Sequence, residues 1–167
     1  VVRYGNVLGS RGSVVPYFLR LIRDGAKVLP ITDPEMTRFW ITLQQGVDFV
    51  LSSLTLMSGG EIFVPKIPSM KVVDVARALA PDLPHEMIGI RPGEKLHELM
   101  ITADDARSTL ALEDRYIIEP TLSFWSNAHL IGNGAAAVPE GFEYASHINE
   151  DWLDTETLLD LMRESGH

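Results

Sequence analysis

The chain has 167 residues, no cysteine, 46% apolar residues, 22% charged residues and a formal net charge of −9. That length supports a domain with a real hydrophobic core, and the near-average composition excludes disorder, collagen and coiled coil as whole-chain readings. Without cysteine there is no disulfide framework, thiolate metal site or cysteine nucleophile, and no apolar run approaches the ~20 residues that cross a bilayer.

Val1-Val2-Arg3-Tyr4 reads as a strand already under way, with no initiator methionine and no basic-then-apolar leader. The expectation is a cytoplasmic chain cut from something longer. Gly5 to Ser13 is a glycine-rich turn. Apolar residues at 14, 15, 18, 19, 21 and 22 have helical spacing, with Ser13 as N-cap, Pro16 in the first turn and Gly25 as the stop. An extended piece over 28–32 and a turn at Asp33-Pro34 lead to a strand over 38–41. Thr42 then caps a helix over 43–56 that ends before Gly59-Gly60. A strand over 61–64 is stopped by Pro65 and Pro68, and Ser69 opens a helix over 71–80.

After the prolines at 81 and 84 the pattern predicts a strand over 87–90, then Arg91-Pro92-Gly93 leading into a helix over 94–100. Residues 116–118 read as a strand, 121–149 show no clear period, and Asp154 caps a last helix over 155–163. Strands alternating with helices argue for an α/β layer architecture with no internal repeat, its carboxy-terminal stretch an appendage.

Charge is unevenly placed. Residues 1–112 carry 12 acidic and 12 basic residues, whereas 113–167 carry 11 acidic residues against Arg115 and Arg163. No basic face is available to neutralise a nucleic-acid backbone, so a nucleic-acid partner is not expected. Ten of the 14 basic residues are arginine, whose planar fork suits two-point contact with phosphate or carboxylate. A small anionic ligand fits this pattern.

The loop over 5–13 lacks the G-x-G-x-x-G spacing of a dinucleotide site. It nevertheless combines three glycines, Asn6, Ser10 and Arg11 with a helix start, the ingredients of an anion cradle. The same residues serve equally as a tight turn without a ligand. Arg91-Pro92-Gly93-Glu94 sets a cation beside an anion at a rigid turn, and Arg38 enters an aromatic strand; either arginine can also be structural. His97 has no partner histidine four residues on, and His85, His129, His147 and His167 sit in unrelated contexts, so no metal site is expected. The acidic pairs at 104–105 and 150–151 read as solvated positions. No serine has an activating base, and no catalytic residue is assigned in this chain.

Taken together, RYGNVLGSRGSVVP, PITDPEMTRFW, GGEIFVPKIPSM and GIRPGEKLHE resemble, in order and spacing, the carboxy-terminal part of the configuration-inverting UDP-N-acetylglucosamine 4,6-dehydratases. These are polysaccharide biosynthesis proteins of the extended short-chain dehydrogenase/reductase superfamily. The resemblance covers residues 1–120 and, more loosely, 142–147 and the last helix. It implies the end of an NAD(P)-binding Rossmann domain interleaved with a smaller α/β substrate-binding domain over 1–120, then an acidic tail with a terminal helix over 121–167.

The implied cofactor is NADP or NAD and the implied substrate is UDP-N-acetylglucosamine, with no membrane partner and a homo-oligomer at full length. The implied product is UDP-2-acetamido-2,6-dideoxy-L-arabino-hex-4-ulose, an early intermediate of pseudaminic acid for surface glycans and flagellin. The family's Tyr-x-x-x-Lys pair is missing, because no tyrosine here is followed four residues later by lysine; the chain alone is expected to be inactive. By resemblance, Val7, Leu8, Gly9, Ser10 and Arg11 close over the nicotinamide end of the cofactor. Asn6, Val14, Thr32, Arg91 and Glu94 touch the nucleotide-sugar, and Arg38 is a second diphosphate contact. The alternatives are a retaining dehydratase, an epimerase of the same branch, or a non-catalytic binding fragment.

Overall fold

The structure is a computed structural model that describes residues 1–122 and 126–166. In chain order the elements are β1 (Asn6–Val7), α1 (Val14–Arg23), β2 (Leu29–Ile31), β3 (Thr37–Ile41), α2 (Leu43–Leu56), β4 (Ile62–Pro65), β5 (Ser69–Lys71), α3 (Val72–Leu79) and β6 (His85–Met87). There follow β7 (Leu99–Ile101), a 3-10 turn (Asp105–Ser108), β8 (Thr109–Ala111), β9 (Arg115–Ile118), α4 (Ala128–Gly132), β10 (Ala136–Ala137), β11 (Tyr144–Ala145) and α5 (Thr155–Glu164). The α/β class expected from the pattern is what these elements make.

They gather into two compact units. One is built from residues 1–4, 44–66 and 99–145. Its sheet runs β10-β8-β9-β4 with antiparallel neighbours, and β11 pairs with β7. Phe49 of α2 packs with Phe63, Leu110, Ile117 and Leu130 to form its core. The first residues make one parallel bridge, Val2 to Phe63, rather than a full strand.

The other unit comprises residues 5–43, 67–98 and the chain from Ser146 onward. Its sheet has the order β1-β3-β5, with β1 parallel and β5 antiparallel to β3, while β2 and β6 pair in parallel. Two clusters fill it. Phe18, Leu29, Ile31 and Val73 form one, and Leu8, Val15, Trp40, Val75 and Leu158 form the other. Side chains such as Phe18 and Leu158 are almost wholly buried, each worth about 1.5–3 kcal/mol of transfer free energy.

Helix ends follow local chemistry. At the end of α1, Gly25 N–H bonds Ile22 O at 3.1 Å and Ala26 N–H bonds Leu21 O at 3.0 Å, with Gly25 at φ +78°. This is the paired closure that a left-handed glycine permits. At α5 the Asp154 carboxylate accepts from Thr157 N–H at 2.7 Å, as the capping reading anticipates. Ser13 stands at the N-cap of α1 but makes no side-chain capping bond.

Three local expectations are corrected. No helix forms over 94–100, because the Lys95 and Leu96 carbonyls accept from the Arg38 guanidinium, Leu96 O also takes Thr37 N–H, and the Glu98 backbone bonds Ser146. These bonds to the Lys95, Leu96 and Glu98 carbonyls compete with a helical ladder for the segment's acceptors. The strand expected over 87–90 lies two residues earlier, and Gly89 at φ +79° follows it. Ser69 does not open α3 but belongs to β5, whose register sets Ser69 against Phe39. Within the stretch 121–149, which shows no readable period, lie α4, β10 and β11; residues 123–125 fall outside the described residues, as does His167.

Candidate functional site: an arginine-lined cavity

The glycine loop, the first turn of α1, β2 and the turn after β6 enclose a cavity of about 610 Å³. Arg11, Gly12, Ser13 and Val14 line it from the loop and helix start, Pro30 from β2 and Thr32 from the residue after it. Arg91 and Glu94 supply a cation and an anion from the Pro92-Gly93 turn, while Val72 and Ile88 add apolar wall. Gly12 at φ +80° and Gly93 at φ +88° hold conformations that favour glycine, and they shape the two loops facing the cavity.

Charge in the cavity is lopsided. Three guanidinium groups, from Arg11, Arg20 and Arg91, stand against the Glu94 carboxylate alone. Among the described residues neither Arg11 nor Arg91 has an ion-pair partner. Glu94 accepts the backbone N–H of Arg91 at 3.0 Å, so the carboxylate closes the turn and leaves the guanidinium unengaged. Arg20 lies over the Tyr17 ring, 5.6 Å from its centroid. The amino-terminal end of α1 adds its partial positive charge, and unpaired first-turn N–H groups favour an anion. Ser13 also lines the cavity, and its hydroxyl oxygen is buried without a hydrogen-bond partner.

Five of the expected site residues therefore meet here: Arg11, Val14, Thr32, Arg91 and Glu94. Others do not line the cavity. Leu8 is buried in the core beside Val15 and Trp40. Ser10 N–H is bonded to Val7 O. The segment 7–10 is a tight turn with Gly9 at φ +72° and Ser10 exposed. Arg38 donates to three main-chain carbonyls, those of Thr37, Leu96 and Lys95, which makes it a brace for residues 95–98. Burial pulls its guanidinium below the usual arginine value, partly offset by Glu98 and Glu94.

Asn6 belongs to a separate polar cluster. Its side-chain N–H group donates to Glu98 Oε1 at 2.8 Å, and Glu98 Oε2 accepts Phe39 N–H at 2.9 Å. Next to them Thr37 Oγ1 lies 2.8 Å from His97 Nδ1 and 2.7 Å from Ser146 Oγ. His147, which no local signal connects with His97, stacks on it with ring centroids 4.1 Å apart. Desolvation pushes the His97 pKa down, and nearby His147 and Arg38 push the same way. Among the described residues no group of three or more histidine, aspartate or glutamate side chains is placed to hold a metal ion.

Sequence reasoning missed Arg20, Tyr17, Pro30 and Ile88. Arg20 had a usable signal, lying seven residues beyond Ser13 and hence on nearly the same face of α1. Pro30 and Ile88 had none, since the parallel pairing of β2 with β6 joins residues more than fifty apart.

Residues 1–120 match the polysaccharide biosynthesis protein family. Over 170 aligned residues the chain is 52% identical to a UDP-N-acetylglucosamine 4,6-dehydratase (inverting) of Campylobacter jejuni, covering 99% of this chain and 51% of that protein. It is 37% identical to a UDP-glucose 4-epimerase of Rickettsia conorii, over 97% of this chain and 48% of that one. Among solved structures, Pen from Bacillus thuringiensis superposes with a TM-score of 0.82 at 31% identity, over 99% of this chain and 49% of the other. The chain spans about half the length of these proteins. With a match over most of its length, the chain belongs to the polysaccharide biosynthesis protein family and has the α/β fold of the short-chain dehydrogenase/reductase type.

Proposed function

We propose that this chain is the nucleotide-sugar-binding part of an NAD(P)-dependent UDP-N-acetylglucosamine 4,6-dehydratase of the inverting type. The observation that carries the reading is the convergence of Arg11, Arg20 and Arg91 with the start of α1 on one cavity. In this reading the three guanidinium groups and the helix end neutralise a diphosphate, with Arg91 supplying a two-point contact. Glu94 accepts ribose hydroxyls, and Pro30, Val72 and Ile88 give the base an apolar wall. The 52% identity to the Campylobacter dehydratase supports the substrate and the inverting outcome.

The chain's own residues bind and orient; they include no Tyr-x-x-x-Lys pair. In this reading the nicotinamide cofactor is held by the part of the longer protein that this chain does not span, and supplies hydride transfer there. The 167-residue chain mixed with UDP-N-acetylglucosamine and NADP is therefore expected to form no 4-keto product, and turnover above background would overturn that assignment. With the full-length protein, NMR of the product is expected to show a 4-keto-6-deoxy sugar inverted at C5. Retention at C5, or epimerisation at C4 without loss of water, would assign it instead to the retaining or epimerase branch.

A further inference from the structure

We infer that Arg38 is a positioning residue: by clamping the carbonyls of Lys95 and Leu96 it fixes the turn that presents Arg91 and Glu94 to the cavity, and it acts through that turn rather than on the ligand. This deepens the nucleotide-sugar reading above and rests on it.

The turn needs an outside anchor. From Gly89 to Glu94 it contains Pro92 and two glycines at positive φ, Gly89 at +79° and Gly93 at +88°. Its hydrogen bonds are its own: Glu94 N–H donates to Arg91 O at 3.0 Å, and Glu94 Oε2 accepts Arg91 N–H at 3.0 Å. Among the described residues no hydrogen bond or ion pair joins residues 89–94 to the rest of the chain. A loop closed only on itself moves as one piece about its two ends, so the ends decide where Arg91 stands.

Both ends are tied. On the amino-terminal side Ile88 N–H bonds Ile31 O at 2.9 Å, next to the pairing of β2 with β6. On the other side Arg38 Nη2 donates to Lys95 O at 2.8 Å and Nη1 to Leu96 O at 3.1 Å, and Thr37 N–H adds a bond to Leu96 O at 3.1 Å. The guanidinium is itself held, because Nη1 also donates to Thr37 O at 2.7 Å and Nε lies 3.9 Å from Glu98 Oε1. The Arg38 side chain is 16% exposed and does not line the cavity. Charge-assisted bonds from one planar fork hold two successive carbonyls in a single orientation, which a point charge cannot do. A turn anchored in this way has less freedom to lose when an anion meets Arg91.

A double-mutant cycle tests the role. UDP is titrated calorimetrically into the full-length protein and into Arg38→Gln, Arg38→Lys, Arg91→Ala and the variant carrying both Arg38→Gln and Arg91→Ala. Arg38→Gln is expected to weaken UDP binding about tenfold when Arg91 is present, and less than about twofold in the Arg91→Ala background. Arg38→Lys is expected to behave as Arg38→Gln does, since one ammonium cannot hold both carbonyls, whereas a direct diphosphate contact would keep much of its attraction as lysine. In NMR spectra of the wild type, the side-chain N–H signals of Arg91 are expected to shift on adding UDP while those of Arg38 hold still, a readout that requires no variant to fold.

Losses that add in the double variant, unchanged affinity in Arg38→Gln, or near-wild-type binding by Arg38→Lys would overturn the positioning role and leave the nucleotide-sugar reading standing. Arg38 signals that move with those of Arg91 would do the same by making Arg38 a ligand contact. A wild-type protein that does not bind UDP would sink both.

Discussion

Arg115 and Arg91 are the same residue type in opposite states. Arg115, on β9, has a side chain only 5% exposed. Its guanidinium donates to Ser53 Oγ at 3.0 Å, Ser52 Oγ at 2.8 Å and both Asp114 oxygens, and it lies 4.6 Å from the centre of the Phe49 ring. Arg91 is exposed and lines the cavity, and among the described residues its guanidinium has no ion-pair partner. A guanidinium most of whose donors are answered by the protein stabilises the fold. One held on a rigid turn without an answer is poised for a ligand. Arg38, whose donors end on three carbonyls, sides with Arg115.

The sharpest way to break this contrast is to truncate both residues and compare urea unfolding with ligand affinity. Arg115→Ala removes the donor from two serine hydroxyls, which keep only their own bonds to Phe49 O, and uncovers Phe49; it is expected to cost about 2–4 kcal/mol of stability, below the full penalty of a buried pair because Asp114 is largely solvated. Arg115→Met, which still covers Phe49, is expected to recover part of it. An unfolding midpoint unmoved by Arg115→Ala would show that the buried network carries no weight.

Arg91→Ala is expected to leave that midpoint where it is. In the full-length protein it is expected to weaken UDP binding by about 30-fold or more, the loss expected for removing a hydrogen-bonded charge partner. NADP affinity is expected to hold, and Arg91→Lys to restore only part, because a point charge replaces a planar fork. Calorimetric titration decides; wild-type UDP binding by Arg91→Ala would move Arg91 into the structural class with Arg115.

The smallest effect concerns pH. His97 has its pKa lowered by desolvation, with His147 and Arg38 adding to it against the opposing pull of Asp33 and Glu35. The folded chain then binds fewer protons at this site than the unfolded chain, whose histidine titrates near the ordinary value of about 6.5. Stability from this group is present above that value and is lost as pH falls from it toward the lower native pKa. Arg38→Gln is expected to shrink the pH dependence, because a like charge beside the imidazole is gone. Denaturation curves between about pH 5 and pH 8 for wild type and His97→Gln isolate the contribution; identical slopes would remove His97 as the cause.

Legibility from sequence followed the range of the interactions. The helix from Val14 is readable because its apolar spacing, Pro16 and Gly25 are all local signals. Asp154 announces α5 for the same reason. The turn at Arg91-Pro92-Gly93-Glu94 is readable too, but the segment after it is not, since a guanidinium fifty-odd residues earlier holds its carbonyls. The cavity divides likewise. Arg11 and Arg91 stand out by residue type and neighbours, whereas Ile88 reaches the wall through a parallel strand pairing that leaves no trace in local periodicity. His147 meeting His97 is a third case of non-local pairing.

Gly5 narrows what a diversified library can sample around the loop behind it. A Cβ built there would lie 2.5 Å from Phe39 Cβ and 2.7 Å from its carbonyl oxygen, closer than real Cβ atoms come. The obstacle is mostly main chain, so no rotamer change on a neighbour relieves it, and even alanine must lever β1 off β3. Gly12 differs: a Cβ there would meet nothing within 4 Å, and only its φ of +80° restricts it. Asparagine or aspartate, which tolerate that conformation better than other residues, are admissible codons at position 12. Position 5 is best left fixed, and diversity directed to Arg11 and Gly12, where new side chains line the cavity without dislodging the strand that carries them.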